Sequence, residues 1–319
     1  MNVQNVGGYQ TGIDYLPAAG KNIFERENVN FNVEEATAEK VNEGAIKTAE
    51  QKTQDLKDAY AVMTSGVNST RTTNDNKTVQ RRLTQLGFYS GSVDGNLYTD
   101  ASKKALKNFQ RVYGLAQTGQ ISNMVQDKLK AATSCYRAVA SKSDLGTITS
   151  MVSGYSDFKE SEIRDYFAKT WAFFRVGMGL TVRQASGVLG NIMAESGCIP
   201  DNAKDTDTNK KLHDKDYKYN VSDGRGYGLI QWTIKERKQL LKDTSSQMGL
   251  PVNDINAQFA CFRKETERDD LTKSAWNKLK KTDLIDGATG IFLNEIEMPG
   301  NRNFSERYEK ATTIYSVMK

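Results

Sequence analysis

Histidine is almost missing from this chain, with one residue, His213, in 319. That excludes catalysis built on two imidazoles. His213 lies in the polar stretch "KKLHDKDYKY", the setting of a solvated loop residue. Cysteine is nearly as scarce. Cys135, Cys198 and Cys261 are too few and too scattered for a disulfide framework. Together with His213 they lack the close paired spacing of a structural zinc site. A Cys–His nucleophile pair drawn from Cys198 or Cys261 with His213 has no local pattern behind it. Neither a metal nor an organic cofactor is expected. No apolar run approaches the ~20 residues that cross a bilayer, so no membrane span is expected. The opening "MNVQNVGGYQTGIDYLPAAGK" has neither the basic start nor the apolar centre of a secretory signal. Work outside a cell would then need another delivery route.

What is present is ordinary in amount but uneven in placement. Hydrophobic residues make up 38% and charged residues 26%, enough for two or three domains with a sizeable core. The formal charge is +5, from 44 Lys/Arg and 39 Asp/Glu. Residues 1–76 hold 7 basic and 11 acidic side chains, leaving 37 and 28 for the remainder. An acidic arm therefore precedes a basic body of the kind that suits an anionic polymer. No dense Lys/Arg run argues for nucleic acid.

Composition divides the chain into four parts. Residues 1–76 read as a flexible leader (1–32), a helix (33–63) and a linker (64–76). The stripe of that helix, Ala38, Val41, Ala45, Leu56, Ala59 and Met63, is too sparse to build a core alone, so it docks on a partner or lies in solvent. Residues 77–133 read as three short helices separated by glycine turns. The first carries Val79, Leu83 and Leu86 and stops at Gly87. The second carries Ala105, Leu106 and Phe109, and the third Val125 and Leu129. Residues 134–157 read as a connection with one short helix, and 158–319 as mainly helical. There Ile163, Tyr166, Phe167, Thr170 and Phe174 recur at helical spacing, as core rings do.

The stretch "VQRRLTQLGFYSGSVDGNLYTDASKKALKNFQRVYGLAQTGQI" resembles the peptidoglycan-binding domain found on many wall hydrolases. The likeness rests on the Leu86-Gly87-Phe88 bend, the Asp94-Gly95 turn, Ala105, Phe109-Gln110 and Gly114-Leu115. It departs in the second turn, where Thr118 replaces the usual acid before glycine.

The segment "GVLGNIMAESGCIP" poses a separate question, because an apolar helix there ends on a carboxylate. Thr181 is a natural N-cap. Val182, Ala185, Val188, Leu189, Ile192 and Met193 then recur every three or four residues. Glu195, seven after Val188 and three after Ile192, points the same way, since two helical turns return a side chain to within ~20° of its start. Partial burial and the negative end of the helix dipole both favour a carboxyl that keeps its proton. Breaking a glycosidic bond needs such an acid to protonate the leaving oxygen. A buried Glu satisfied by Arg or Tyr is the plainer alternative. Downstream lies "DGRGYGLIQWT", whose glycines let backbone approach another group closely. There Gln231 offers an amide for sugar hydroxyls, and Trp232 either stacks on a ring or fills core.

Together "GVLGNIMAESGCIP", "GYGLIQWTIKER" and "FLNEIEMPG" resemble the phage tail lysozyme family of the lysozyme-like superfamily, over roughly residues 160–319. "AESG" and "GYGLIQ" are also similar to blocks of goose-type lysozymes and soluble lytic transglycosylases. The resemblance implies a mainly α fold: a three-helix peptidoglycan-binding module plus a lysozyme-like, mostly helical catalytic domain with a small loop/β insertion. It implies cleavage of the MurNAc–GlcNAc bond of peptidoglycan, with Glu195 as general acid and Tyr227, Gln231 and Trp232 as cleft residues. Arg237 is implied to be structural. Glu297, the acid of the family's Glu-Arg-Pro-Gly block with Met298 in place of the arginine, is implied to be structural or to support the catalytic group from behind. For a second catalytic carboxylate the insertion offers Asp201, Asp205, Asp207, Asp214, Asp216 and Asp223. Asp223 is the best placed, by likeness to the goose-type block. Without a second acid, the substrate's own N-acetyl or 6-hydroxyl group would finish the reaction, as in a lytic transglycosylase. The rival class is an inactive wall-binding structural protein, distinguished by whether the 201–223 insertion closes over Glu195. A cross-link peptidase has little to work with. The setting implied is virion-associated or extracellular at the cell wall, with residues 1–76 docking on a phage tail, export or secretion apparatus.

Overall fold

The computed structural model describes residues 71–152, 158–204, 211–212, 217–268, 270–300 and 302–319. The leader and helix expected over 1–63, most of the linker expected over 64–76, and Asp205, Asp207, His213, Asp214 and Asp216 lie outside the described residues.

Helix α1 (Thr73–Gln85) starts inside the stretch whose composition reads as linker. The reason is a capping box: the Asp75 N–H donates to the Thr72 hydroxyl at 3.2 Å, and the Thr72 N–H donates to the Asp75 carboxylate at 3.1 Å. Helices α2 (Asp100–Val112) and α3 (Asn123–Ala140) complete the module and are capped by Thr99 and Ser122. Val79, Leu83, Leu106, Phe109, Val125 and Leu129 meet in its centre. Two buried glutamines hold the turns between the helices. Gln80 donates to Asp94 at 2.8 Å and accepts from the Gly95 N–H at 2.7 Å. Gln110 repeats the device, donating to Thr118 at 3.0 Å and accepting from the Gly119 N–H at 2.8 Å. The Thr118 hydroxyl also accepts from the Gln120 N–H at 3.1 Å, as Asp94 accepts from Asn96 at 2.8 Å. A hydroxyl therefore fills the acceptor role of the missing acid.

The expected connection over 134–157, described as far as Val152, holds more helix than the single short one expected. Helix α3 runs on to Ala140, and α4 (Leu145–Thr149) follows with Leu145 and Ile148 fully buried. Helix α5 (Glu160–Ala172) passes into a π-helical segment, Phe173–Gly177, and α6 (Val182–Glu195) begins at the Thr181 capping box. Ala203–Lys204 and Lys211–Leu212 pair as two short antiparallel strands, β1 and β2. Then come α7 (Lys235–Met248), α8 (Ile255–Arg268), α9 (Asp270–Leu279) and α10 (Ile285–Ile291). A second π-helical segment, Phe292–Glu297, and α11 (Phe304–Met318) close the chain.

Helix α6 is the axis of this second half, packed between α10 and α11. Its glycines permit the approach: a Cβ at Gly190 would lie 2.5 Å from the Arg307 carbonyl and 2.7 Å from the Ala311 Cβ. Of the expected core rings Phe167 and Phe174 are buried, Phe174 edge-on to Phe262 at 5.4 Å, whereas Tyr166 is half-buried and lines a surface hollow. All described residues fall in one compact unit with a continuous apolar core. No helix among them is long and apolar enough to cross a membrane.

Candidate functional site

Glu195 is the last residue of α6, and the next residue fixes what it faces. The Ser196 hydroxyl donates to the Leu229 carbonyl at 2.7 Å, tying the helix end to the glycine-rich loop. That loop is a tight bracket: Tyr227 and Trp232 exchange backbone hydrogen bonds at 3.1 and 2.9 Å. Gly228, at φ +75°, leaves no room for a side chain, since a Cβ would sit 2.6 Å from Gln258 Oε1. Gln258 in turn accepts the Leu229 N–H at 2.9 Å and donates to the Pro200 carbonyl at 2.6 Å.

Between the loop and the second π-helical segment lies a groove of about 450 Å³, lined by Glu195, Gly224–Gly226, Gln231, Arg237 and Glu297–Gly300 among others. Ile234 and Met298 stand exposed on its walls. A volume of this size is within the range of ligand sites. A second hollow of about 310 Å³ lies against the module, between Gly87, Lys169 and Asn256, and contains none of these groups. Asp201, one of the candidate second carboxylates, lines this second hollow and not the groove of Glu195.

The Glu195 side chain is 19% exposed and forms an ion pair with Arg307 of α11. The same Arg307 Nη2 donates to Glu297 Oε1 at 3.0 Å, so one nitrogen bridges the Glu195 and Glu297 carboxyls. Burial is the main cause holding the Glu297 carboxyl well above the usual carboxylate range. The neighbouring Glu195 carboxyl adds to it, and Arg307 opposes both. Sequence reasoning took Glu297 as structural or as a support behind the catalytic group, and overlooked Arg307. The signal was there: Arg307, Ala311 and Ile314 share one helical face, so a cation lies on a buried stripe.

The other sequence-designated residues are placed less uniformly. Gln231 lines the groove at φ +51°, donating to the Gly228 carbonyl at 2.9 Å. Tyr227 and Trp232 do not line it, and both side chains are fully buried. Trp232 donates its indole N–H to Glu265 at 3.0 Å, so it fills core and offers no stacking face. The Tyr227 ring packs edge-on to Tyr219 at 4.7 Å. Arg237 grips Glu265 through two hydrogen bonds of 2.9 and 3.0 Å, the structural part expected of it.

Asp223 is also held away from the groove lining. Its oxygens accept from Lys238 at 2.6 Å, Tyr217 at 2.6 Å and the Arg225 N–H at 3.1 Å. Burial pushes this carboxyl up, but the three hydrogen bonds outweigh it and leave Asp223 below its ordinary range. The structure thus brings Glu195 and Gln231 together and adds Glu297 and Arg307, without Asp223, Tyr227 or Trp232. Burial pushes the Cys198 thiol up to about 12, which is not the state of a nucleophile.

The helical module and the acid-ended helix define two familiar kinds of domain. Residues 72–129 match the family model described as a putative peptidoglycan binding domain. Residues 166–318, with Glu195, Gln231, Glu297 and Arg307, match the family model of phage tail lysozyme. Both resemblances drawn from the sequence are borne out. No curated protein and no solved structure matched the chain.

Proposed function

We propose that this protein is a peptidoglycan-lytic enzyme that cleaves the glycan strand between MurNAc and GlcNAc, with Glu195 as general acid. The observation that carries the reading is Glu195 itself, a partly buried carboxyl at the end of a core helix, opening on a groove beside a glycine-rich loop. Glycosidic oxygen leaves only when protonated, and a carboxyl in such surroundings is the usual donor. Gln231 forms part of the groove wall, its amide holding the loop through the Gly228 and Asn202 carbonyls at 2.9 and 3.3 Å. The two family matches support a wall polymer as substrate, and the module keeps the groove at high local concentration on it.

A second reading, lytic transglycosylase, is favoured by one feature of the groove. Among the described residues, its only carboxyls are Glu195 and Glu297, and both are bound to the one nitrogen Arg307 Nη2. Hydrolysis by paired carboxylates places them about 5 Å or more apart, across the sugar. The substrate's own 6-hydroxyl or N-acetyl group would then capture the cation.

The test is digestion of purified peptidoglycan by wild type and Glu195→Gln, with muropeptides identified by mass. Reducing-end products lost in the variant support a hydrolase, and anhydro products lost in the variant support the second reading. Equal activity in both proteins would remove Glu195 from the role. Wall binding without cleavage by the wild type would favour the docking protein.

A further inference from the structure

We propose that Glu297 is the proton store of the site, passing its proton to the neighbouring Glu195 while Arg307 Nη2, bound to both carboxyls, holds them in register. This rests on Glu195 being the general acid. Three observations lead to it. One cation faces two carboxyls through a single nitrogen, Arg307 Nη2. With both acids ionised the cluster carries an excess negative charge, although the Glu297 and Arg307 side chains are only 2% and 5% exposed. Glu297 Oε2 is buried and meets no N–H or O–H donor among the described residues, so an ionised Glu297 would leave that oxygen unsupported.

Outside the cluster the glycine-rich loop brings Arg225 to the groove, where its guanidinium lies 5.9 Å from the Tyr217 ring centroid. Helix α6 contributes Glu195 and α11 contributes Arg307. Helix α7 contributes Arg237, whose charge is matched by Glu265. One proton held between Glu195 and Glu297 therefore neutralises the cluster. The direction found for Glu297, well above the usual carboxylate range through burial and its neighbour, agrees. The backbone serves the same end: the π-helical segment ends at Glu297, and Met298 adopts φ +50°. Such segments recur at functional sites because they re-aim one side chain.

The step balances as follows. The Glu297 O–H bond breaks as an O–H bond forms on Glu195. Glu195 delivers a proton to the glycosidic oxygen as the C–O bond breaks, and the bonding pair leaves on that oxygen. Glu297 remains as a carboxylate against Arg307. The proton lost by the capturing water or sugar hydroxyl then restores the pair. Glu297 acts through Glu195 and is a positioning residue.

The experiment is the pH profile of muropeptide release by wild type, Glu195→Gln, Glu297→Gln and Glu297→Asp. Glutamine keeps the volume and accepts from Arg307 but stores no proton. With that store gone and Arg307 still present, the alkaline limb should move at least one pH unit towards acid. That is about tenfold lower activity at neutral pH, largely regained on acidification. Aspartate should keep the limb close to wild type at reduced rate. A uniform loss at every pH, or an unmoved limb, overturns the proposal. If Glu297→Gln does not fold, infrared spectra of the wild type decide, since a protonated carboxyl band is expected at neutral pH and its absence is fatal. Inactive wild type, or active Glu195→Gln, marks instead a failure of the general-acid reading.

Discussion

Lys238 is wholly buried and keeps its charge through Asp223, the Tyr217 hydroxyl and the Arg225 carbonyl, at 2.6, 3.1 and 3.0 Å. This cluster anchors one side of the glycine-rich loop. Its two partners respond to pH in different senses. Asp223 lies below its ordinary range, so its contribution to stability is full above about pH 4 and is lost as pH falls through its folded value. Lys238 is also lowered, because burial outweighs Asp223, and so opposes folding less as the medium turns alkaline. Asp223→Asn should cost about 3 kcal/mol near neutrality, since it strands a buried ammonium. The gap from wild type should narrow below about pH 4. Urea unfolding from pH 3 to 7 checks both, and a constant gap would assign the loss to packing. Glu195 was legible because periodicity fixes where a helical side chain points. Asp223 was read as a reaction partner because nothing local announces Lys238 as buried. Trp232 was equally opaque: its partner, Glu265, lies on another helix, and only the fold turns the ring inward.

At the scale of elements, most helix positions followed from periodicity, and Thr181 caps where expected. Two features were beyond that reading. The π-helical segments Phe173–Gly177 and Phe292–Glu297 each continue an α-helix without a local break signal, so their register is set by what they pack against. The persistence of α3 to Ala140 likewise depends on buried Val139 and on Tyr136, which donates to Asp165 of α5 at 2.7 Å. The α6–α11 contact joins fold to site most directly, because Gly190 lies against the carbonyl of Arg307 itself. Gly190→Ala would gain slightly in helix propensity and lose far more by forcing the helices apart. The expected outcome is about 2–3 kcal/mol lower stability. Arg307 would also shift from the two carboxyls, so the lytic rate should fall more than binding to peptidoglycan. Measured rate and pelleting affinity separate these effects. Equal losses would indicate general unfolding.

At the scale of the whole molecule, the wall-binding match and the lysozyme match share one core. The Asn256 amide donates to the Leu86 carbonyl at 3.1 Å, Asn108 to Met248 at 3.1 Å, and Lys128 to Val176 at 3.2 Å. Arg263 of α8 is the centre of the seam. It donates to the Val112 carbonyl at 2.8 Å and the Gly177 carbonyl at 2.6 Å, capping α2 and the first π-helical segment together. A sequence divided by composition suggests beads on a string, because composition does not record that a single arginine closes two helix ends from opposite sides of a boundary. The consequence is a fixed geometry between module and groove, so under the proposed function wall binding would aim Glu195 as well as concentrate it. Wild type should unfold in one thermal transition, with near-neutral Arg263→Met lowering stability by about 3 kcal/mol and exposing two carbonyls. For a unit of this size that is roughly 6–10 °C in melting temperature. If the seam directs the groove, the variant, assayed well below its melting point, should bind peptidoglycan as wild type does yet cleave it more slowly, while short soluble glycans are cut at the same rate. Two separate transitions in the wild type, or equal slowing on both substrates, would show that the module serves only as a tether.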